Sequence, residues 1–511
     1  MGNELFRQTE STIFSPELGA AAVAQIITGE GRIAPQIRDM RTADRYFDGH
    51  NDIEKKTRVY YDRDRKAYDN PAASNARIKS NFLRTLVQQK QDYAFAKTFV
   101  LKLSTKEQQE IDIAEDQYGM AWKNFCDGQL FRLAYVLAGQ AVNHGIAWCY
   151  VWIDADGSLR IKDMPADLTY PVWADRQHTE LDRLVYNFMQ TRYGGMTADS
   201  TEYAEYWSRS ERVLFNVSKA WKAEADLTDE EGNALFSHMS GGQSWGKIPF
   251  VAFKATDDEK PLLNFIKDHI DAYDMLDSRS VDGLIDDLDP LLVLKGLSTR
   301  VKDIVEGREL AKLTRTISLD ADGDARYIQA QTPIDAHERK KESLRRDIIK
   351  FGYGVDYEDT RFGGNPNQMV IRSLYQNLDT YTDGLERHFQ DFIDSLKYFF
   401  DRWCEWAGIC AFDIAREYKV LVKLDRSMMV NESAQIEDTV RLQGTGISQR
   451  TLLEKNPAVQ DVDLELSRIE EERREREREN PLFNFGGDDS DASDGGADDD
   501  DNGEKQGNRK E

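Results

Sequence analysis

The sequence contains few cysteines and no long apolar run. Four cysteines occur among its 511 residues, at Cys126, Cys149, Cys404 and Cys410, and no two of them have CxxC spacing. This distribution predicts buried free thiols in a reducing compartment rather than a disulfide framework. No stretch approaches the ~18 consecutive apolar residues of a membrane-spanning helix, and the N-terminus lacks the basic and apolar runs of a signal peptide. We therefore expect no membrane contact.

Positive charge is also scarce. The chain carries 67 lysines and arginines against 92 aspartates and glutamates, which gives a formal net charge of −25. This balance argues against a protein that holds nucleic acid tightly, because such proteins need a basic surface to neutralise phosphates. Part of the acidic excess is local, since residues 486–511 contain runs of aspartate and no aromatic residue. We predict a disordered, solvated tail there.

Motifs of the common catalytic sites are absent from the sequence. It has no GxxxxGK[ST] loop, GxSxG elbow, HExxH helix or metal-spaced set of Cys and His. Glycines at 352, 354, 363 and 364 flank a segment that could cradle a phosphate, but the acids between them would repel one, so a mobile loop is preferred. The acid-rich stretch 268–287 could supply a two-metal nuclease, although a solvated helix face explains it more simply. We predict no catalysis, cofactor or metal.

The apolar periodicity predicts an α+β fold. Helical spacing over 76–93 and 109–147 gives way to a hairpin at 147–162, whose turn is Asp154-Ala-Asp-Gly157, and to further strands up to residue 253. A helix over 261–288 is followed by a small α/β insert with a strand over 291–296, a helix near 300–311 and a strand over 325–331. A helix over 335–351 and a very long helix over 366–406 come next, and the long helix has an apolar stripe that includes Leu385, Phe389, Phe392 and Leu396. A strand over 417–424 and a helical region over 433–478, in which Ser448 is a predicted N-cap, complete the predicted elements.

The order and spacing of these elements resemble the portal proteins of tailed bacteriophages, particularly the SPP1-like family, from about Arg38 to Glu472. The segments that carry the resemblance are Tyr46-Phe-Asp-Gly-His-Asn-Asp-Ile53 with Asn81-Phe82 and Leu86-Val87, Pro249-Phe250 with Asp271-Ala-Tyr273 and Leu291-Leu-Val-Leu-Lys-Gly296, and Ile447-Ser448 to Pro457. The resemblance implies a homo-oligomeric ring, commonly a dodecamer, at one capsid vertex. Double-stranded DNA would pass through this ring during packaging and ejection.

The resemblance also implies partners and a location. The large terminase subunit and then the head–tail adaptor would dock on the ring, and major capsid and scaffolding proteins would surround it. The protein would lie in the virion at the portal vertex, and in the host cytoplasm during assembly. Two other functions stay open: a different structural head–neck virion protein, or a metal-dependent DNA-processing enzyme.

The resemblance divides the chain into named regions. They are an N-terminal arm, partly disordered (1–37), a first wing part (38–260), a stem helix (261–288), a clip (289–334), a second stem helix (335–351), a tunnel loop (352–365), a second wing part (366–430), a crown (431–480) and a disordered acidic tail (481–511).

Three sets of candidate site residues follow from these regions. The DNA-facing candidates of the tunnel loop are Tyr353, Val355, Asp356, Tyr357, Glu358, Asp359, Thr360, Arg361, Phe362 and Asn365. The candidates that line the stem are Asp268, Asp271, Asp274, Asp277, Lys340, Lys341 and Arg345. The candidates for terminase or adaptor contacts in the clip are Arg300, Lys302, Arg308, Lys312 and Arg315.

The charges of these sets predict a loose channel. An acidic stem helix would present like charge to the duplex and keep it from adhering. The basic residues of the second stem helix are expected to pair with the acidic helix of the same or a neighbouring subunit, or else to touch phosphates transiently. The basic residues of the clip either bind partners or belong to an ordinary solvated helix.

Overall fold

The structure is a computed structural model, and it divides into two compact units, residues 1–429 and 430–511. The residues that it describes are 16–28, 33–57, 60–61, 66–68, 74–104, 116–194, 197–219, 222–224, 227–228, 234–239, 243–287, 291–295, 324–328, 334–359, 368–426, 440–442, 446–456, 459 and 462–479.

Helices and strands alternate in blocks along the first unit. Its α-helices are α1 (Pro16–Thr28), α2 (Ile33–Phe47), α3 (Phe82–Phe95), α4 (Gln117–Phe125), α5 (Phe131–His144), α6 (Leu263–Asp287), α7 (Ile334–Phe351), α8 (Gln368–Trp406) and α9 (Phe412–Ala415). Its strands are β1 (Tyr60–Tyr61), β2 (Ala67–Tyr68), β3 (Val100–Ser104), β4 (Ile146–Ile153), β5 (Leu159–Met164), β6 (Thr169–Trp173), β7 (Leu181–Gly194), β8 (Thr197–Trp207), β9 (Arg212–Asn216), β10 (Lys222–Glu224), β11 (Leu227–Thr228), β12 (Ala234–Leu235), β13 (Phe250–Lys254), β14 (Leu291–Lys295), β15 (Asp324–Ile328) and β16 (Lys419–Lys423).

The described strands form antiparallel sheets. The largest sheet has the order β10-β9-β8-β7-β6, and a second sheet has the order β13-β4-β5. The predicted hairpin is confirmed: β4 and β5 pair with Val151 opposite Ile161, and the Asp154–Gly157 turn joins them. Together with the helices, these sheets give the expected α+β fold.

The main core lies under the long helix α8. Its predicted apolar stripe is confirmed, since Leu385, Phe389, Phe392 and Leu396 are all fully buried. They pack with apolar side chains from α3, α5, β4 and β13. Residues from before α6 and residues from after α7 therefore share one core, in which α8 takes part.

The N-terminal region contributes more structure than the sequence suggested. Within the predicted arm, 1–37, helix α1 forms, and its Val23 is fully buried against Val185, Val213 and Phe215 of the five-stranded sheet. Apolar residues at 20, 23, 26 and 27 make this contact with helical spacing.

Helices α6 and α7 pack against each other, and between them in sequence β14 pairs with β15. These elements confirm the predicted helices at 261–288 and 335–351 and the two strands of the insert. The helix predicted near 300–311 lies outside the described residues.

The second unit contains α10 (Gln449–Lys455) and α11 (Val462–Glu479). The predicted N-cap is confirmed, because Ser448 Oγ accepts a hydrogen bond from the Thr451 amide at 3.3 Å. In neither unit does a described helix combine the length and apolarity required to cross a bilayer.

Candidate functional site

One face of α6 is a hydrogen-bonding surface for the chain segment 74–80. Asp274 Oδ1 accepts the Ser80 amide at 3.0 Å, Ser278 Oγ accepts the Ile78 amide at 3.0 Å, and Asp282 Oδ1 accepts the Ala76 amide at 2.6 Å. We call Asp274, Ser278 and Asp282 the α6 ladder. Its members are four residues apart on the helix and meet alternate residues of the segment, so the segment runs extended along α6.

The α6 ladder is buried, and one of its two carboxylates is paired with a lysine. Asp274, Ser278 and Asp282 are at most 5% exposed, and Lys56 Nζ lies 2.9 Å from Asp282 Oδ2. Burial raises the pKa of Asp274, and hydrogen bonds from Ser80 and Asn51 oppose that rise.

Residues of the family-like segments meet at this face. Asn51 Nδ2 donates to Asp274 Oδ2 at 2.6 Å, and the Tyr46 hydroxyl donates to Asp271. Phe82 and Tyr273 form an edge-to-face ring contact with centroids 5.0 Å apart. The segments 46–53, 81–82 and 271–273 therefore form one contact region.

The acidic residues of α6 do not form the solvated face that the sequence predicted. Of the four lining candidates on this helix, Asp268 is exposed, whereas Asp274 is 1% exposed. Asp271 and Asp277 are part-buried and paired, Asp271 with Lys267 at 2.6 Å. The prediction is wrong for Asp274 because periodicity reveals which side chains share a face but not what that face contacts.

The basic side chains of α7 divide between pairing and exposure. Lys341 Nζ lies 2.7 Å from Asp277 Oδ1, and this hydrogen bond raises the pKa of Lys341. The expected pairing of this basic helix with the acidic helix is therefore confirmed for Lys341 and α6 within one subunit. Arg345 instead pairs with Asp356 at 3.0 Å and Glu358 at 2.9 Å, while Lys340 is exposed.

Helix α7 ends in a Schellman motif at the start of the predicted tunnel loop. The Gly354 amide donates to the Ile349 carbonyl at 2.8 Å, and the Tyr353 amide donates to the Lys350 carbonyl at 3.2 Å. Tyr353 takes the left-handed position with φ +51°, which glycine usually occupies. The glycine pair flanking Tyr353 is thus part of a helix end and not of a phosphate-binding loop.

Close packing explains the two glycines. A Cβ on Gly352 would lie 2.6 Å from Leu86 Cδ1, and a Cβ on Gly354 would lie 2.3 Å from Leu86 Cδ2. Both separations are shorter than real Cβ contacts, so a larger residue at either position would have to displace the buried Leu86 side chain.

The described part of the predicted tunnel loop, 352–359, begins with residues that are packed and hydrogen-bonded. Val355 is 5% exposed and packs with Tyr93, Ile371 and Tyr375, so its predicted place on a DNA-facing surface is wrong for the subunit. Tyr353 and Tyr357 are exposed at 42% and 57%, and Tyr353 lies against Tyr381. The preferred interpretation of a mobile loop does not hold for this stretch.

Several predicted site residues lie outside the described residues. They are Thr360, Arg361, Phe362 and Asn365 of the loop and Arg300, Lys302, Arg308, Lys312 and Arg315 of the clip. Asp359 is described and half-buried.

Sequence reasoning missed the residues of α3 that hold the loop. Gln89 Oε1 accepts the Val355 amide at 2.8 Å, and Gln89 Nε2 donates to the Val355 carbonyl at 2.9 Å. Lys90 Nζ donates to the Gly352 carbonyl and is fully buried. A lysine on the apolar face of the 76–93 helix was the available signal.

A separate cavity of about 900 Å³ lies among the 176–181 turn, β13 and α8. His178 and Glu259 line it, both with left-handed backbone conformations (φ +59° and +52°), and His178 Nδ1 lies 2.9 Å from Glu259 Oε1. None of the predicted site residues lines this cavity.

The described residues bring no metal-ligand cluster together. Within the described ranges, no group of three His, Cys, Asp or Glu side chains is arranged to hold a metal ion. The α6 carboxylates that a two-metal nuclease would require are engaged with backbone amides and lysines instead. Cys126, Cys149 and Cys404 are buried free thiols, as predicted, and burial raises the pKa of each, whereas Cys410 is a free thiol that is only part-buried.

Comparison with known proteins gives consistent similarities along the chain. The family model described as "Phage portal protein, SPP1 Gp6-like" matches residues 31–479. The chain is 24% identical over 494 residues to the portal protein of Bacillus phage SPP1, which covers 95% of this chain and 93% of the relative. It is 23% identical over 451 residues to the portal protein of Clostridium phage phiCD119, with 84% and 91% coverage.

Proposed function

Because the chain belongs to the SPP1 Gp6-like family of phage portal proteins, we propose that it forms a homo-oligomeric ring, a dodecamer, at one vertex of a tailed-phage capsid. Double-stranded DNA passes through this ring when the genome is packaged and when it is ejected. The protein acts as a conduit and docking platform without catalysis. It resides in the virion and, during assembly, in the host cytoplasm.

The extent of the family match carries this proposal. It covers residues 31–479, and the alignment with the SPP1 portal protein extends over nearly the full length of both chains. A match of this extent includes the α6–α7 pair, the insert between them, the loop and the long helix α8. The proposal therefore does not depend on one shared domain.

The helix pair α6 and α7 is assigned to the stem of the channel. The charged side chains that this pair leaves exposed have both signs, such as Asp268 and Arg279 on α6 and Lys340 and Arg346 on α7. A wall of mixed charge neither holds phosphates tightly nor repels them strongly, so a duplex can move along it. We call residues 352–355 the root of the tunnel loop. The loop residues that follow the root, up to 365, form the part that approaches DNA.

The insert between the stem helices is assigned to partner docking. In this proposal, residues 289–334 contact the large terminase subunit during packaging and the head–tail adaptor afterwards. Major capsid and scaffolding proteins contact the wing, residues 38–260 and 366–430. The strand pair β14–β15 gives the insert a structured base from which a partner surface can project.

Native mass measurement with electron microscopy tests the proposal. We expect the purified 58.6 kDa chain to form a closed ring of a dozen copies with a central hole. A closed assembly without a hole favours a different head–neck virion protein. A stable monomer at micromolar concentration that cleaves plasmid DNA with magnesium contradicts the proposal and favours the DNA-processing enzyme.

A further inference from the structure

The root of the tunnel loop is attached to α3 through two adjacent side chains. Gln89 forms both hydrogen bonds that a neighbouring strand would form with Val355, to its amide at 2.8 Å and its carbonyl at 2.9 Å. The preceding residues of the root form the Schellman motif, so the Tyr353 and Gly354 amides bond to α7. Val355 is thus bound through both of its backbone polar groups to one side chain of another helix.

Lys90 holds the carbonyl at the end of α7. Its Nζ donates to the carbonyls of Gly352 and, at 3.3 Å, Leu86, and lies 5.2 Å from the ring centroid of Tyr381. The Gly352 carbonyl is at the helix C-terminus, where a donor or a cation satisfies an unbonded carbonyl. No described carboxylate lies within 4.0 Å of Lys90 Nζ, in contrast to the paired lysines of α6 and α7.

Because Lys90 is buried without a carboxylate partner, its contact with the Gly352 carbonyl is sensitive to the protonation of the lysine. Burial lowers the pKa of Lys90 to about 7, because the charged form loses its hydration. The titratable groups near this site are Tyr381 on α8 and Tyr353 in the root, and Asp258 acts on Tyr381 electrostatically. Between pH 7 and its ordinary pKa near 10.5, a lysine that reaches water takes up a proton that it lacks when buried, so lower pH within this range favours an open root.

We propose that Gln89 and Lys90 are positioning residues of the tunnel loop, which hold residues 352–355 against α3 and release them when Lys90 reaches water. The role in a DNA channel rests on the proposed function, whereas the attachment itself does not. The contact fixes the start of the loop, residues 352–355, relative to the core under α8.

Hydrogen exchange of the full-length protein tests this attachment. The readout is exchange of the Val355 amide, corrected for its intrinsic rate, between pH 7 and pH 10. In the unmodified chain we expect opening of the root to become more frequent as the pH falls, by up to about tenfold per pH unit, because opening takes up one proton. The Lys90→Met variant, which has no proton to bind, should lose this pH dependence.

The second variant separates the two side chains. Gln89→Ala removes the acceptor of the Val355 amide and should raise its exchange rate by about two- to tenfold. Gln88→Ala changes the exposed neighbour on α3 and should have no effect. Equal exchange in Gln89→Ala and the unmodified chain, or an unchanged pH slope in Lys90→Met, overturns the proposal. Mass measurement on the same samples reports ring formation, so failure of the proposed function is recognised separately.

Discussion

The carboxylate of Asp274 accepts the backbone amide of Ser80 at 3.0 Å. This bond and the two that follow it along α6 attach a segment without helix or strand to the proposed stem helix. Acidic residues that the sequence suggested as a repulsive channel wall are therefore structural contacts of the subunit.

Loss of the Asp274 carboxylate should destabilise the first unit. Asp274→Ala leaves the Ser80 amide and the Asn51 side-chain amide without their buried acceptor, so we expect the free energy of unfolding to fall by about 2–4 kcal/mol. Urea denaturation followed by tryptophan fluorescence measures the change. The control is Asp268→Ala, an exposed acid of the same helix, which should alter stability by less than about 0.5 kcal/mol. Equal effects of both variants contradict the ladder.

Lys341 of α7 and Asp277 of α6 should be energetically coupled within one subunit. Lys341 and Asp277 are each less than a quarter exposed, so we expect a double-mutant cycle with Lys341→Met and Asp277→Asn to give a coupling of about 0.5–1.5 kcal/mol. The same cycle with the exposed Lys340→Met should give a coupling near zero. Coupling of Asp277 to Lys340 instead would mean that α7 is rotated relative to this structure.

Replacement of Gly354 should lower the stability of the first unit because of close packing. In Gly354→Ala the new Cβ meets Leu86, so we expect a loss of about 1–3 kcal/mol in the free energy of unfolding. Gly384 lies within α8, where a Cβ would point into open space, and Gly384→Ala should raise stability by about 0.5–1 kcal/mol. Opposite signs in thermal denaturation verify the assignment, and a neutral Gly354→Ala rejects it.

Stability should depend on pH through Lys90. Its pKa is about 7 in the folded chain and near 10.5 when exposed, so unfolding takes up a proton between these values and the free energy of unfolding rises with pH. The slope from this group approaches about 1.4 kcal/mol per pH unit. The difference between the unmodified chain and Lys90→Met, measured by urea denaturation from pH 7 to pH 10, isolates it. A difference that does not vary with pH refutes this assignment.

The acids of the tunnel loop should affect DNA passage rather than assembly. We expect Asp356→Ala, Glu358→Ala and Asp359→Ala together to leave ring formation intact and to change the length of DNA packaged per particle. Exposed acids elsewhere, Asp127→Ala with Asp413→Ala, serve as the control. If the triple variant fails to form rings, the loop is an assembly element, because Arg345 has lost its partners Asp356 and Glu358.

Local signals in the sequence predicted the elements well. The Asp154–Gly157 turn predicted the β4–β5 hairpin, and the stripe through Leu385 and Phe389 predicted α8, because turn chemistry and periodicity are properties of adjacent residues. The α6 ladder could not be predicted in this way. Its partners are backbone amides of residues 76–80, which any sequence would supply and which lie about 200 positions away.

The 352–359 stretch was likewise predicted only in part from the sequence. Glycines at 352 and 354 signalled a special backbone, but the sequence could not distinguish a phosphate cradle from a helix end packed on Leu86. That distinction depends on what approaches the glycines in space. Lys90 was recognisable as a polar residue on an apolar face, yet its acceptor is a carbonyl 262 residues away.

The α6 ladder joins a helix and an extended chain, whose repeat distances differ. Four residues of a helix advance about 6.0 Å, whereas two residues of an extended chain advance about 6.6 Å. The difference between these distances adds up by about 0.6 Å per contact, so donors and acceptors stay aligned over only a few hydrogen bonds. Three such bonds are present between residues 76–80 and α6. Asn51 bonds to both Asp274 and the Ser80 carbonyl, and Lys56 bonds to both Asp282 and the Ala76 carbonyl, so a slip by one step would break contacts at both ends of the ladder. The height of the proposed stem helix along its own axis is thereby fixed to a single position.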